Sequence, residues 1–366
     1  MKLDDREWKD FAVPEIFQNI QRGKRLKNAD HVPGIVPYVS STANNNGVDD
    51  YIEATEGARV FKNCISLANS GSVGSAFYEP FAFVASDHVT SLKCREANQY
   101  IYLFLVAVLK QQGSNFNFNR EINDLRIKRM RIMLPVTVNG EPDFQFMEGY
   151  VRELMAAKRK QYRVYIKKRL ESLELDAANG GGNSLSKCEW KPLRIGDLFK
   201  VKRPAARNKD DYFEGNIPFV ASGAVNNGVM KCCATKVSET LDAGNCITVS
   251  PVDGSSFYQP SNFLGRGGAG SSILMLYNGA LNEYSGLFIS VMIYQTCSKY
   301  TYGHMGNMDS IRREYVQLPV SSTGEPDFYF MEEYGKKMLL DKYNQYLRFL
   351  SDQEDIKHKR RNHSKR

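Results

Sequence analysis

A nine-residue phrase occurs twice in this chain and constrains its architecture more than any other feature. Residues 140–148 read GEPDFQFME, and residues 324–332 read GEPDFYFME. In each copy the proline suits the first turn of a helix, and the neighbouring acids suit its electropositive N-terminus. Apolar residues then recur every three or four positions, which is typical of a helix with one buried face. We therefore predict two long helices, at 140–176 and 324–355, that pack against each other as an antiparallel coiled coil.

The repeat extends well beyond these helices. The sequence GIVPYVSSTANNNGV at 34–48 resembles GNIPFVASGAVNNGV at 215–229, and the only two tryptophans, Trp8 and Trp190, each stand in a Glu-Trp-Lys triplet. The spacing of about 180 residues is too long for a solenoid and indicates a tandem duplication of one large unit. The predicted domains are residues 1–139 and 187–323, joined through a Gly-rich linker at 177–186, with a disordered basic tail at 356–366.

Each unit has a β-rich texture before its long helix. Short apolar runs are bounded by Gly, Asn, Asp and Ser, and Asn46-Gly47 and Asn227-Gly228 predict tight turns. One short helix is expected at 98–111, with a counterpart at 281–294. The predicted fold class is α+β, with two repeated, mostly-β domains that are each followed by a long helix.

Composition narrows the function only slightly. The net charge of +8 favours an anionic partner. Seven cysteines, an odd number without a CxxC pair, indicate reduced thiols, so we expect a cytoplasmic protein. The longest apolar run, residues 100–109, is too short to span a bilayer, so we expect no membrane association.

The chain lacks the sequence signatures of an enzyme. It contains no phosphate-binding GxxxxGK[ST] loop, no zinc-ligand spacing and no adenine-methyltransferase tetrapeptide. His88 lies beside Asp87, but this adjacency favours a structural or DNA-facing role over a catalytic triad. We therefore expect no catalytic residue, no metal and no cofactor in this chain.

The whole chain resembles the DNA-specificity subunits of type I restriction–modification systems. The resemblance rests on the Trp-Lys opening, RGKRL at 22–26, PYVSSTANNNGV at 37–48, SGSVGSAFYEPFAFVASDHV at 70–89 and the repeated phrase with its helix. It implies two target-recognition domains, held apart by two spacer helices, that read the two halves of a split DNA site. It also implies that two methyltransferase subunits dock on the chain and methylate adenine with their own S-adenosylmethionine.

The resemblance leaves some features of the complex open. The two units differ in their loops, so the target is expected to be asymmetric. Helices of about 30 residues, or about 45 Å, predict a short unread gap between the half-sites. A restriction nuclease or translocase subunit could be separate or fused to the methylase. The alternatives from other classes are a β-rich enzyme acting on an anionic polymer and a scaffold that does not bind DNA.

Candidate DNA-binding residues follow from side-chain chemistry and repeat position. Asn and Arg read base edges, whereas Lys and Ser usually hold phosphate. The candidates are Arg22, Lys24, Arg25, Asn44, Asn45, Asn69, Ser72 and Asn117 in the first unit, and Lys202, Arg203, Asn226, Asn227, Arg266 and His304 in the second. Candidate partner-binding residues on the helices are Tyr150, Arg152, Tyr334 and Lys336.

Overall fold

The computed structural model describes residues 1–113, 116, 120–177, 184–268, 270 and 272–363. The chain divides into two compact units, Met1–Tyr162 and Arg163–Arg366. Most of the expected linker, residues 178–183, lies outside the described residues. The boundary between the units falls inside the first long helix, so the second half of that helix belongs to unit 2.

Unit 1 is organised around a mixed six-stranded sheet. Its strands β1 to β8 are Trp8–Ala12, Asn19–Arg22, Pro33–Val39, Val48–Ile52, Val60–Ala68, Ala76–Ala85, Val89–Lys93 and Arg131–Pro135. The sheet order is β2-β7-β5-β6-β3-β4, in which only the pairing of β3 with β6 is parallel, and β1 pairs with β8 in a separate ladder. Strands β5 and β7 contain consecutive buried residues, 64–68 and 89–92, so both faces of the sheet are covered there, because successive side chains point to opposite faces.

Unit 2 repeats this plan with a divided sheet. Its strands β9 to β17 are Glu189–Arg194, Lys200–Lys202, Glu214–Val220, Val229–Cys233, Cys246–Val249, Ser256–Gln259, Leu264–Gly265, Leu274–Tyr277 and Tyr315–Val320. They form the sheets β10-β16-β13-β14 and β12-β11-β15 and the pair β17-β9. The long strand β6 of unit 1 corresponds to two short strands, β14 and β15, and the chain between them begins with Pro260.

Short helices cover one face of each sheet. Helices α1 to α3 of unit 1 are Val13–Ile16, Gln99–Gln112 and Asp124–Arg129, and α5 to α7 of unit 2 are Ile195–Leu198, Glu283–Cys297 and Met308–Arg313. The predicted pair of short helices is therefore confirmed as α2 and α6. Each begins at an asparagine whose side chain accepts two backbone N–H groups, Asn98 in α2 and Asn282 in α6.

The repeated phrase begins the two long helices. These are α4, Phe144–Ala177, with 34 residues, and α8, Phe328–His363, with 36 residues. Each starts after an aspartate that accepts the backbone N–H three residues on, at 2.8 Å from Asp143 to Phe146 and at 2.8 Å from Asp327 to Phe330. The preceding Gly-Glu-Pro forms a turn rather than the first helical residues, with Gly140 at φ +80.

Helix α8 is also longer than the sequence suggested. It continues through His363, across most of the segment that was expected to be a disordered tail, because residues 356–363 are rich in Lys and Arg, which favour helix, and contain no Gly or Pro. The helices are therefore about 51 and 54 Å long rather than about 45 Å.

Within unit 2 the second half of α4 packs along α8. Ile166 and Leu173 are completely buried, and the rings of Tyr165 and Tyr343 meet edge to face at 6.5 Å. Four residues further along α4, Arg169 faces the Tyr284 ring, which Lys336 of α8 also approaches. The contact further along α4 lies nearer the start of α8, so the two helices run antiparallel, as predicted.

Candidate nucleic-acid interface

The Asn-Asn-Gly turns have the same unusual backbone in both units. Three consecutive residues adopt left-handed conformations, with φ of 51, 54 and 80 at residues 45–47 and of 55, 54 and 72 at residues 226–228. Asparagine and glycine tolerate this region better than other residues, which explains the repeated sequence. The turn presents Asn44, Asn45 and Asn46 as exposed amides, and the predicted tight turns are confirmed.

In unit 1 several loops meet beside this turn. Ser40 N–H donates to Gly47 O at 2.9 Å, and Ser72 N–H donates to Ser41 O at 2.9 Å. The turn between β6 and β7 joins the group, because Ser86 N–H donates to Val39 O at 3.0 Å. These bonds bring two predicted loops, those of Asn44–Asn45 and Ser72, to one end of the sheet.

The basic segment lies against the same group of loops. Lys24 N–H donates to Ala85 O at 3.1 Å, and a Cβ on Gly23 would lie 2.1 Å from Ser86 O, so only glycine permits this approach. The Lys24 ammonium donates to Gly57 O at 3.1 Å and remains exposed, as does Arg25. Positive charge therefore lies at the end of the sheet that carries the asparagine turn, an arrangement suited to a phosphate backbone with adjacent bases.

Unit 2 assembles the equivalent segments in a similar way. Ala221 N–H donates to Gly228 O at 2.9 Å, and Arg266 N–H donates to Val220 O at 2.8 Å. Lys202 and Arg203 are exposed and precede Pro204, whose ring lies beside Gly265. The turn of exposed His304 is joined to the residues after β13, because Gly306 N–H donates to Pro251 O at 2.8 Å. Exposed Asn226 and Asn227 therefore occupy the loop that corresponds to the asparagine turn of unit 1, and exposed His304 lies on a separate loop.

Two candidates of unit 1 do not fit a DNA-contacting role. Asn69 is completely buried, and its side-chain oxygen accepts the Thr90 hydroxyl at 2.9 Å, so we assign it to the core. Arg22 is half-buried, and its Nε is shielded from solvent. Asn117 lies outside the described residues. The sequence could not reveal the burial of Asn69, because its partner lies on a different strand.

Two further exposed residues, Asn46 and His88, lie in the same group of loops as the candidates but were not in the candidate set. Asn46 is the counterpart of Asn227 and is equally exposed, so the alignment of the two repeats could have identified it. The His88 imidazole is also exposed, with Nδ1 2.6 Å from the Ser70 hydroxyl. Its Nε2 is 4.0 Å from Asp87, and Ser70 is buried, so the trio lacks an accessible nucleophile. The described residues contain no cluster of potential metal ligands.

The candidate partner-binding residues mainly attach each long helix to its own unit. Tyr150 lies edge to face against Phe104 at 6.1 Å, and Tyr334 meets Phe288 in the same way at 5.5 Å. Arg152 is exposed but pairs with Glu148 and covers a tyrosine ring of α2. The Lys336 side chain is only 12% exposed and pairs with two glutamates of α8. This packing within each unit explains why similar residues occur at the same positions in both repeats. Of the four candidates, only Arg152 is well exposed.

An apolar groove lies beside this packing in unit 2. It has a volume of about 830 Å³ and runs between α6 and α8. Its floor includes the rings of Trp190 and Phe288, and its rim includes the exposed apolar side chains Leu287, Val291 and Met338. Exposed apolar surface of this kind is uncommon on a monomer and is typical of a protein interface.

Comparison with known proteins identifies the family. Residues 5–162 and 187–346 match the family described as type I restriction modification DNA specificity domain, once in each repeat. The chain belongs to this family. No helix among the described residues is long and apolar enough to cross a membrane.

Individual relatives of the specificity family are distant in sequence. The chain is 25% identical over 335 residues to the type II restriction enzyme BgcI specificity subunit S.BcgI of Heyndrickxia coagulans, covering 90% of this chain and 93% of the relative. It resembles the type I S subunit of M. genitalium at 14% identity and a TM-score of 0.41, over 97% and 96% of the two chains. The HsdS subunit of Thermoanaerobacter tengcongensis aligns over 94% and 91%, at 16% identity and a TM-score of 0.31.

Proposed function

We propose that this chain is a non-catalytic specificity subunit that reads a bipartite, asymmetric DNA target. The observation that carries the proposal is the end-of-sheet assembly, repeated in each unit, of an asparagine turn, a basic segment and a second polar loop. Asparagine amides can pair with base edges, while Lys24, Arg25, Lys202 and Arg203 can hold phosphates. The match of both repeats to a DNA specificity domain supports this reading.

Differences between the two assemblies support an asymmetric target. Where unit 1 has exposed Asn44, unit 2 has exposed Val225, and where unit 1 has Ser86, unit 2 has Arg266. An amide and an apolar side chain select different base edges, and the half-buried Arg266 can reach a base that the buried Ser86 hydroxyl cannot. Each unit would therefore recognise its own half-site.

Methyltransferase subunits are the proposed partners, and S-adenosylmethionine is proposed to bind in them rather than in this chain. The apolar groove of unit 2 suits such a subunit, since its rim combines exposed Leu287, Val291 and Met338 with the polar end of Lys342. We propose this groove, which Tyr334 lines and Lys336 does not, as the docking surface. A nuclease subunit, separate or fused to the methylase, would join the complex through its partners.

The antiparallel helices are proposed to set the gap between the half-sites. Inserting the same number of whole turns into α4 and α8 should lengthen that gap in the methylated motif, because the helix rises 1.5 Å per residue. An unchanged motif would contradict this role.

The direct experiment measures DNA affinity across salt concentrations, with the full chain and its co-expressed methyltransferase. Neutralising several phosphates makes affinity fall steeply with salt, so a steep slope is expected. A flat slope would favour the scaffold alternative, and cleavage of an anionic polymer by the chain alone would favour the enzyme. Sequencing methylated adenines from expressing cells then gives the motif, and Arg266→Ala should relax only one of its halves.

A further inference from the structure

A buried carboxyl group lies on strand β6 of unit 1, which contacts the asparagine turn. Glu79 is completely buried, and its Oε1 accepts the Ser66 hydroxyl at 2.9 Å. Its Oε2 is buried without a hydrogen-bond partner among the described residues. A buried carboxylate would need donors or a cation at both oxygens, and the described part of the chain places neither at Oε2.

Unit 2 shows what this position does when it carries an amide. Gln259 Nε2 donates to the Thr248 hydroxyl at 3.0 Å and to the main-chain carbonyl of Asn227 at 3.0 Å. Asn227 is the central residue of the Asn-Asn-Gly turn. The buried amide therefore supports the left-handed turn from below.

The strand register shows that Glu79 occupies the place of Gln259. Cys64 of β5 pairs with Glu79 of β6, and Cys246 of β13 pairs with Gln259 of β14. The carboxyl or amide contacts a hydroxyl two residues after each cysteine. This hydroxyl belongs to Ser66 in unit 1 and to Thr248 in unit 2. The two turns above also share the same φ angles.

The surroundings of Glu79 favour its neutral form. Burial raises the pKa of Glu79 to about 7, and the hydrogen bond from Ser66 opposes this only in part. Cys64, on the facing strand, is a thiol whose own pKa is raised by burial. Tyr78 and Tyr102, towards α2, also have raised pKa values because of burial. All three groups are neutral at pH 7, and no described ion pair reaches Glu79.

We propose that Glu79 is a positioning residue that acts as a neutral carboxylic acid, donating its proton to the main-chain carbonyl of Asn46 just as Gln259 donates to Asn227. Ionisation would release this proton to solvent. The Glu79 carboxylate and the main-chain carbonyl of Asn46 would then be two neighbouring acceptors without a donor between them. Unit 1 would thereby read DNA in a pH-dependent way, whereas unit 2 would not. The DNA part of this inference rests on the proposed function, but the buried proton does not.

The first test uses the full chain without DNA. Infrared spectra at pH 6 should show the stretching band of a protonated carboxyl group that is missing in Glu79→Gln. Stability of unit 1 should fall as pH rises from about 4.5 to 7, since the folded state keeps a proton that the unfolded state has lost. This slope should disappear in Glu79→Gln and appear in unit 2 of Gln259→Glu. An unchanged band and parallel pH curves in both variants would overturn the proposal.

The second test measures DNA affinity of the complex from pH 6 to pH 8. Wild type should weaken several-fold more than Glu79→Gln across this range, and Gln259→Glu should weaken more than wild type. Equal pH dependence of all three would overturn the role in positioning the turn. If no variant binds DNA in a salt-dependent way while the infrared band is present, the proposed function fails and the buried proton stands.

Discussion

The side-chain amide of Asn98 donates to Glu148 Oε2 at 2.7 Å, and this bond joins the short helix α2 to the long helix α4. The same Asn98 side chain caps α2 through its oxygen. Unit 2 repeats the arrangement, since Asn282 donates to Glu332 at 2.7 Å and caps α6. The final glutamate of the repeated phrase therefore fixes the long helix to its recognition domain.

Replacing Asn98 by alanine should destabilise unit 1 by about 2 kcal/mol, because it removes a helix cap and a hydrogen bond to a carboxylate. The chain has only two tryptophans, so Trp8 fluorescence in a Trp190→Phe background follows urea unfolding of unit 1 alone. The exposed Asn28→Ala is the matched control and should change stability by less than about 0.5 kcal/mol. Equal effects of the two variants would contradict the capping role.

Close packing of α8 against α6 depends on Gly335. A Cβ at this position would lie 2.6 Å from the backbone oxygen of Tyr284, which cannot move aside as a flexible side chain could. Gly335→Ala should therefore destabilise unit 2 by about 1–3 kcal/mol, despite the better helix propensity of alanine. Trp190 fluorescence in a Trp8→Phe background measures this change. Gly303→Ala, where a Cβ would meet nothing within 4 Å, should have little effect.

Arg207 holds together a buried acidic network in unit 2. Its side chain is 5% exposed and lies 2.9 Å from Glu239 and 2.7 Å from Asp242. Arg207→Met should destabilise unit 2 by about 3–5 kcal/mol at pH 7, because it leaves buried carboxylates without their cation. The exposed Arg194→Met provides the control, with an expected change below about 0.5 kcal/mol.

The same network predicts an acid-dependent loss of stability. Burial opposes the shift, but hydrogen bonds from Tyr212 and Arg207 hold the pKa of Glu239 below its ordinary value. A lowered folded-state pKa stabilises the protein above the unfolded pKa of about 4.3, and this stabilisation is lost as pH falls through the folded value. The difference between wild type and Arg207→Met should therefore shrink below about pH 4. A difference that stays constant down to pH 3 would contradict the proposed pairing.

The sequence allowed prediction of the features that depend on local chemistry. The repeated phrase predicted both long helices, and Asn98 and Asn282 lie at the starts of the predicted short helices, because caps and turns are encoded by neighbouring residues. Burial set by distant strands was not predictable in this way. Asn69 is buried through its hydrogen bond with Thr90, and Tyr150 packs on Phe104. Asparagine and tyrosine can both contact a partner at the surface, so residue type alone did not reveal this packing.

The asparagine turn allows DNA reading to be separated from folding. Asn45 has φ 51, a conformation that glycine adopts readily and alanine does not. Asn45→Gly should keep the backbone of the turn and remove the amide, whereas Asn45→Ala should remove the amide and also cost about 1 kcal/mol of stability. If the amide reads a base, both variants should relax the methylated motif at one position and lower affinity for the cognate site by about tenfold, since a good base contact contributes about 1–3 kcal/mol.

Lys24→Ala should instead weaken cognate and random duplexes equally and reduce the salt slope by about one. Affinities of the three variants for cognate and random DNA, measured with the exposed helix variant Lys158→Ala as control, distinguish the two roles. Loss of cognate binding in Asn45→Ala but not in Asn45→Gly would show that this residue serves only the shape of the turn.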